Sequence, residues 1–117
     1  MATSTITQMN TSAAGITFGS VVTTSYDFFV QRYGKVVTLN GFLKFTATSN
    51  TVTKIATLDA DRRPPKNVRA MGAIASNPWE IPSEIAYISI GTDGGISVLT
   101  SKSGTQTLYL SIAFMCA

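Results

Sequence analysis

Residues 35–46 read KVVTLNGFLKFT, and their period decides the fold. Val37, Leu39, Gly41, Leu43 and Phe45 fall on one face of an extended chain. Val36, Thr38, Asn40, Phe42 and Lys44 fall on the other. Alternation at every second residue is the pattern of a strand with one face on a core. Gly41, in the middle of the run, marks a bulge or the close approach of another backbone.

The same period continues outward. In residues 86–101, AYISIGTDGGISVLTS, the segments Tyr87-Ile88-Ser89-Ile90 and Ile96-Ser97-Val98-Leu99 flank Asp93-Gly94-Gly95. Those three residues tolerate positive φ, which predicts a β-hairpin. Ser103-Gly104 predicts a further turn, and residues 108–115, LYLSIAFM, a closing strand. Both faces of that strand are apolar, which places it centrally in a sheet or beneath another subunit. Further strands are predicted at 15–23, 26–33, 51–57 and 68–76. In 68–76 a helical spacing of Val68, Met71 and Ala75 competes with an alternation of Val68, Ala70, Gly72 and Ile74. Gly72 costs a helix about 1 kcal/mol relative to alanine, so the strand is preferred. Eight or nine short strands separated by turns define an all-β protein, an antiparallel β-sandwich or jelly roll. The Thr/Ser/Asn-rich residues 1–14 read as a flexible leader or stalk remnant, and 15–117 as one domain.

Composition narrows the function. Charged residues make up 13% of the 117, against a usual value of about 25%. A surface poor in Lys and Glu resembles the core of a protein interface, so self-association is expected. The net charge of +3 is mild and carries no basic stripe interleaved with aromatics, so no nucleic-acid partner is expected. The start, MATSTITQMNTS, has neither the positive region nor the apolar run of a signal peptide. No segment approaches the roughly 20 apolar residues of a membrane span. The chain is therefore expected to be made in the cytoplasm without membrane insertion. Cys116 is the one cysteine, which excludes an intrachain disulfide and reads as a small buried hydrophobe.

Histidine is absent, which removes Ser-His-Asp and Cys-His catalysis and the commonest metal ligand. Gly91-Thr92-Asp93-Gly94-Gly95 is a turn, not a phosphate cradle. No metal, cofactor or catalytic residue is expected. Asp59 and Asp61 are the one pair of acids two residues apart. They hold a cation or a sugar hydroxyl, or are simply screened by Arg62 and Arg63 in a solvated turn. Glu80 and Glu84 flank Pro82 in a loop.

Two segments carry candidate binding residues. Residues 55–69, IATLDADRRPPKNVR, hold four of the nine basic residues, Arg62, Arg63, Lys66 and Arg69, and two of the four prolines. The guanidinium forks of the three arginines suit acidic or phosphate-bearing polymers; pairing with Asp59 and Asp61, or with acids of a neighbouring subunit, accounts for the cluster equally well. Residues 77–82, NPWEIP, place the sole tryptophan between two prolines. Trp79 then serves one of three ends: capping the core, meeting another subunit, or offering a flat apolar plate to a ligand beside Asn77 and Glu80.

The order of these segments resembles a known family. Residues 31–41, QRYGKVVTLNG, resemble the strand–turn–strand opening of C-terminal domains of phage tail and baseplate proteins. In those domains an arginine and a glycine precede a Val-Val-x-Leu/Val-x-Gly strand. Ile55-Ala56-Thr57-Leu58, followed after four residues by Arg63-Pro64, resembles their next feature, a strand ending in Leu-Pro and a turn into Tyr-Arg-Pro. Here Asp59 stands where the pattern has proline, Asp61 where it has glycine and Arg62 where it has tyrosine. The resemblance implies a homotrimeric β-sandwich or jelly-roll head at a tail-fibre tip or baseplate of the virion. Such heads bind saccharides or other receptors on a bacterial surface, often in grooves at subunit boundaries, and for this chain the expected role is non-enzymatic binding of a bacterial cell-surface glycan. On this reading the candidate ligand residues are Trp79, Asn77, Glu80, Asp59, Asp61, Arg62, Arg63, Lys66 and Arg69. The alternatives are a structural tail or baseplate component that contacts other virion proteins and, more remotely, a polysaccharide depolymerase.

Overall fold

The computed structural model describes residues 12–13 and 15–117. The strands of the described residues are β1 Ser12–Ala13, β2 Ile16–Phe18, β3 Val22–Tyr33, β4 Val36–Ala47, β5 Thr53–Leu58, β6 Val68–Ala75, β7 Glu84–Ile90, β8 Gly95–Leu99 and β9 Gly104–Met115. They form a single antiparallel sheet in the order β1-β2-β5-β8-β7-β6-β9-β4-β3. The one helical element among the described residues is a 3₁₀ turn, Ala60–Arg62. Twelve-residue strands at about 3.3 Å per residue run about 40 Å, so β3, β4 and β9 are each about as long as the greatest extent of 41 Å.

A twisted sheet with one apolar face rolls until that face is covered. Here Phe18 of β2 meets Phe28 of β3 edge to face, with ring centroids 5.5 Å apart. Strands from opposite ends of the sheet order therefore meet across the core. The inward residues expected on β4 (Val37, Leu39, Leu43 and Phe45) are all buried, together with Phe28, Val30, Leu58, Ile88, Ile90, Ile96 and Leu108. Ala47 extends the buried row by one more position.

Gly41 sits opposite an irregularity. Tyr26 pairs with Phe42 but Phe29 pairs with Asn40, so β3 carries one residue more than β4 there. That is a bulge, and Gly41 takes φ 137° across from it. Gly34 turns β3 into β4 at φ 60°, as the first central residue of a two-residue hairpin loop of type II′ requires. The predicted hairpin is β7–β8, with Ile90 opposite Ile96 and Gly94 at φ 86°. Segment 68–76 is a strand, β6. It pairs with β9 through Ala73, Ile74 and Ala75, beside Gly72, where a Cβ would come within 3.0 Å of the Tyr109 carbonyl. The closing strand β9 is central, between β6 and β4, and begins earlier than predicted, at Gly104.

One expected strand is corrected. Segment 15–23 is broken by a turn between β2 and β3: the Val22 N–H donates to the Gly19 carbonyl, and the Gly19 N–H to that of Ile55. The apolar pair Val21-Val22 hides this turn in the sequence. Of the expected leader, Ser12 and Ala13 pair with β2, and the other residues before Gly15 lie outside the described ones. Cys116 is buried, as expected.

The segment from Asp59 to Asn67 is the long connection of a Greek key. Strands β6, β7 and β8 follow one another as neighbours, and β5 returns beside β8. The charged stretch thus crosses one end of the rolled sheet. The Ala117 N–H donates to the Arg63 carbonyl and the Cys116 N–H to that of Lys35, which ties the C-terminal strand to the same end.

Candidate functional site

At the crossover end, charge is used internally. Arg62 donates to Asp61 at 2.8 Å. Arg32 donates to the Asp61 carbonyl and, through Nε, to that of Gly34 at 2.7 Å. Arg63 donates through Nε to the Leu58 carbonyl at 3.0 Å. Arg62 runs beneath Gly15, where any Cβ would lie 2.4 Å from its Nε, and Gly15 takes φ +88°. The carboxyl of Asp93 is held below its ordinary range by the Gly95 N–H, helped by Lys54 and Arg63. Asp59 and Lys66 are exposed in the crossover. The arginines there brace turns, with a carboxylate or carbonyl against each.

The opposite end has different chemistry. Residues 76–83 connect β6 to β7 and close with the Ser83 N–H on the Ile74 carbonyl, 2.9 Å. Asn77 donates to the Glu80 carboxylate at 3.0 Å. Between them Trp79 has φ 67°, in the left-handed region that non-glycine residues rarely enter. Its N–H donates to the Tyr109 hydroxyl at 2.8 Å, and that hydroxyl donates to the Glu80 carbonyl at 3.3 Å. Trp79 is 77% exposed, so capping the core, one of its three expected ends, does not describe it. Its ring touches Phe42 edge-on, with centroids 4.8 Å apart, and Phe42 stacks on Tyr109 at 5.1 Å and 20°.

Phe42 and Tyr109 are cross-strand partners of β4 and β9. They stand on the outward face, beside a groove of about 500 Å³ floored by Gly41, Gly72 and Ala73 and edged by Met71, Asn40 and Ser111. The Asn40 amide donates to the Ser111 hydroxyl at 3.3 Å. Across Ala73 lies a second depression of about 700 Å³, walled by Ile85, Tyr87 and Leu99 and edged by Ser83, Glu84, Thr100 and Ser101. The Glu84 carboxyl is held below its ordinary value first by Lys102, 2.7 Å away, and then by the Ser101 hydroxyl. Arg69 lines a third depression, with Tyr87 and Val52.

The nine candidate residues therefore divide. Trp79, Asn77 and Glu80 form one cluster. Arg69 faces outward on the same sheet surface. Asp59, Asp61, Arg62, Arg63 and Lys66 belong to the far end, at the level of Met115; Tyr109 lies about 20 Å up β9 from that residue at the rise of a strand. Phe42, Tyr109, Met71 and Tyr87 were not among the candidates. Their signal was present: Phe42 and Tyr109 are aromatics at the outward parity of their strands. Among the described residues no group of three or more potential metal ligands occurs, and no helix is long and apolar enough to cross a membrane.

No family model matches the chain, and no curated protein matches it. A solved structure does. The fold is like that of one phage head domain. The chain is similar to the head domain of the lactococcal phage bIL170, at 15% identity and a TM-score of 0.64, over 98% of this chain and 100% of that one. That structure was described in asking whether the receptor-binding domains of lactococcal phages share a common fold.

Proposed function

We propose that the chain is the receptor-binding head of a phage tail, carried on the virion, and that it holds a bacterial cell-surface saccharide without cleaving it. The observation that carries this reading is the Trp79 plate. It is a large aromatic ring left open to solvent, in a backbone conformation that costs free energy and is held there by hydrogen bonds. Strained, over-determined residues cluster at ligand sites. Sugar rings stack their C–H faces on aromatic plates, and Asn77, Glu80, Asn40 and Ser111 supply donors and acceptors around it. The shared fold with a phage head domain supports the same reading.

Association into a homotrimer of β-sandwich, jelly-roll type heads is part of the proposal. Met71, Ile85 and Tyr87 are each more than half exposed on neighbouring outward positions of β6 and β7, a patch that association would cover. Three weak sites on one particle hold a polymer far better than one. The same patch favours a second reading, a tail or baseplate component that meets another virion protein.

Binding of the purified chain to a panel of bacterial cells and to a glycan array tests the proposal. Trp79→Ala is expected to lower binding at least about tenfold with the fold intact by circular dichroism. Equal binding by both proteins overturns it. Light scattering is expected to give three times the 12.4 kDa chain mass; a monomer at working concentration refutes the trimer. Reducing ends released from a bound polysaccharide refute the non-enzymatic part. Capture of virion proteins with no cell binding favours the second reading.

A further inference from the structure

We infer that Tyr109 is the positioning residue of the Trp79 plate, and that its hydroxyl selects the loop conformation that receives a ligand. The inference rests on the reading of Trp79 as the binding plate, and it concerns how that plate is held. Tyr109 belongs to the central strand β9 and packs flat against Phe42 of β4. Its ring is therefore set by the sheet and not by the loop. From that rigid base the hydroxyl reaches backbone groups of two consecutive residues of the loop. It accepts from the Trp79 N–H at 2.8 Å and donates to the Glu80 carbonyl at 3.3 Å. A hydroxyl that both accepts and donates across one residue fixes the orientation of the peptide unit between them.

That peptide unit follows a residue at φ 67°. Only a few per cent of non-glycine residues adopt positive φ, so an unheld loop of this sequence would populate the conformation as a minority state. Pro78 and Pro82 stiffen the loop but supply no N–H of their own. The Asn77–Glu80 side-chain bond closes the loop across Trp79 without touching the Trp79 backbone. The Tyr109 hydroxyl is thus the contact that ties the Trp79 backbone to the sheet. A binding-competent state populated by a fraction f weakens apparent affinity by 1/f. Holding the plate in advance removes that loss and the cost of ordering a large side chain on binding.

Tyr109→Phe deletes the hydroxyl and keeps the ring that stacks on Phe42. Trp79 is the only tryptophan in the chain, so its fluorescence reports the loop with no background and no ligand. In Tyr109→Phe we expect lower steady-state anisotropy and stronger acrylamide quenching of Trp79, with the far-ultraviolet circular dichroism of the parent. Unchanged anisotropy and quenching in a folded variant overturn the inference. A measurement on the parent keeps it testable if the variant fails to fold. Amide hydrogen exchange at Trp79 is expected to be slow, and exchange at the rate of a free loop amide overturns it. On cells that bind the parent, Tyr109→Phe is expected to weaken binding about tenfold, the cost of leaving the competent state about one-tenth populated. The two readings fail separately. Slow exchange and altered fluorescence with undiminished binding by Trp79→Ala sustain the latch and overturn the plate. Fast exchange with binding lost in Trp79→Ala overturns the latch and sustains the plate.

Discussion

Replacing Trp79 by glycine and by alanine separates strain from contact. Both substitutions delete the same ring. With 77% of Trp79 exposed and about 250 Å² in a whole tryptophan side chain, roughly 60 Å² is lost from burial. At about 25 cal/mol per Å² that is about 1.5 kcal/mol, and the edge contact with Phe42 adds about 0.5–1 kcal/mol. These losses are common to both variants. They differ in the backbone. Alanine retains the penalty of φ 67°, about 1–2 kcal/mol for a residue with a Cβ. Glycine escapes it but returns about 0.5–1 kcal/mol through its freer unfolded chain. The expected result is that Trp79→Gly is more stable than Trp79→Ala by about 0.5–1 kcal/mol, the reverse of the usual order of these two residues. In thermal denaturation that is a difference of about 2–5 °C for a domain of this size. Cell binding falls in both. Equal midpoints, or a more stable alanine variant, refute the claim that Trp79 is held in a strained conformation.

Gly94→Ala meets both a φ of +86° and the Leu58 carbonyl 2.6 Å from the added Cβ, so a loss of about 2–4 kcal/mol is expected in urea denaturation; a loss below about 0.5 kcal/mol counts against the hairpin geometry. Arg63→Ala removes the bond to the Leu58 carbonyl and should cost about 1–2 kcal/mol while leaving cell binding at the parent level; reduced binding in a stable variant would return the crossover to the ligand site. Because Lys102 and Ser101 depress the Glu84 carboxyl, its contribution to stability is complete above the ordinary glutamate range near pH 4.3 and is lost as pH falls through the lower folded value. Carboxyl titration by NMR should show Glu84 moving back up toward its ordinary value in Lys102→Ala, and no change there would remove the ion pair.

Much of the sheet was readable because strand periodicity is local. The alternation in 35–46 names the buried row of β4 residue by residue, and Asp93-Gly94-Gly95 announces its own hairpin. The β2–β3 turn was not readable, because Gly19-Ser20 is followed at once by Val21-Val22, and an apolar pair carries the strand pattern through it. The site was harder for a different reason. Trp79 was visible as a tryptophan between prolines, but its left-handed backbone is bonded to Tyr109, thirty positions away in the chain. The partnership of Phe42 with Tyr109 depends on the register of β4 against β9. Non-local pairing of this kind is settled by the closure of the whole sheet, and no window of sequence contains it.

The charged crossover shows that a cluster conspicuous by composition can serve the fold. Residues 55–69 stand out because the rest of the chain is nearly neutral, and a basic cluster invites an acidic ligand. Yet a Greek-key connection must pass over the open end of a rolled sheet, where the carbonyls of Leu58, Gly34 and Asp61 need donors. A guanidinium reaches such carbonyls from a distance and stays charged while partly covered, and Arg32 and Arg63 do this directly. Asp61 receives Arg62 in turn. Of the three departures from the resembled pattern, Asp61 and Arg62 take part in this bracing, while Asp59 is exposed. A saccharide plate has the opposite requirement. It needs an apolar ring kept in water, with neutral donors and acceptors nearby and little charge to desolvate on binding. The outward face of β4, β9 and β6 beneath Trp79 meets that requirement with Phe42, Tyr109, Asn40 and Ser111. On the proposed reading the ligand meets this face, while the segment conspicuous by charge braces the crossover.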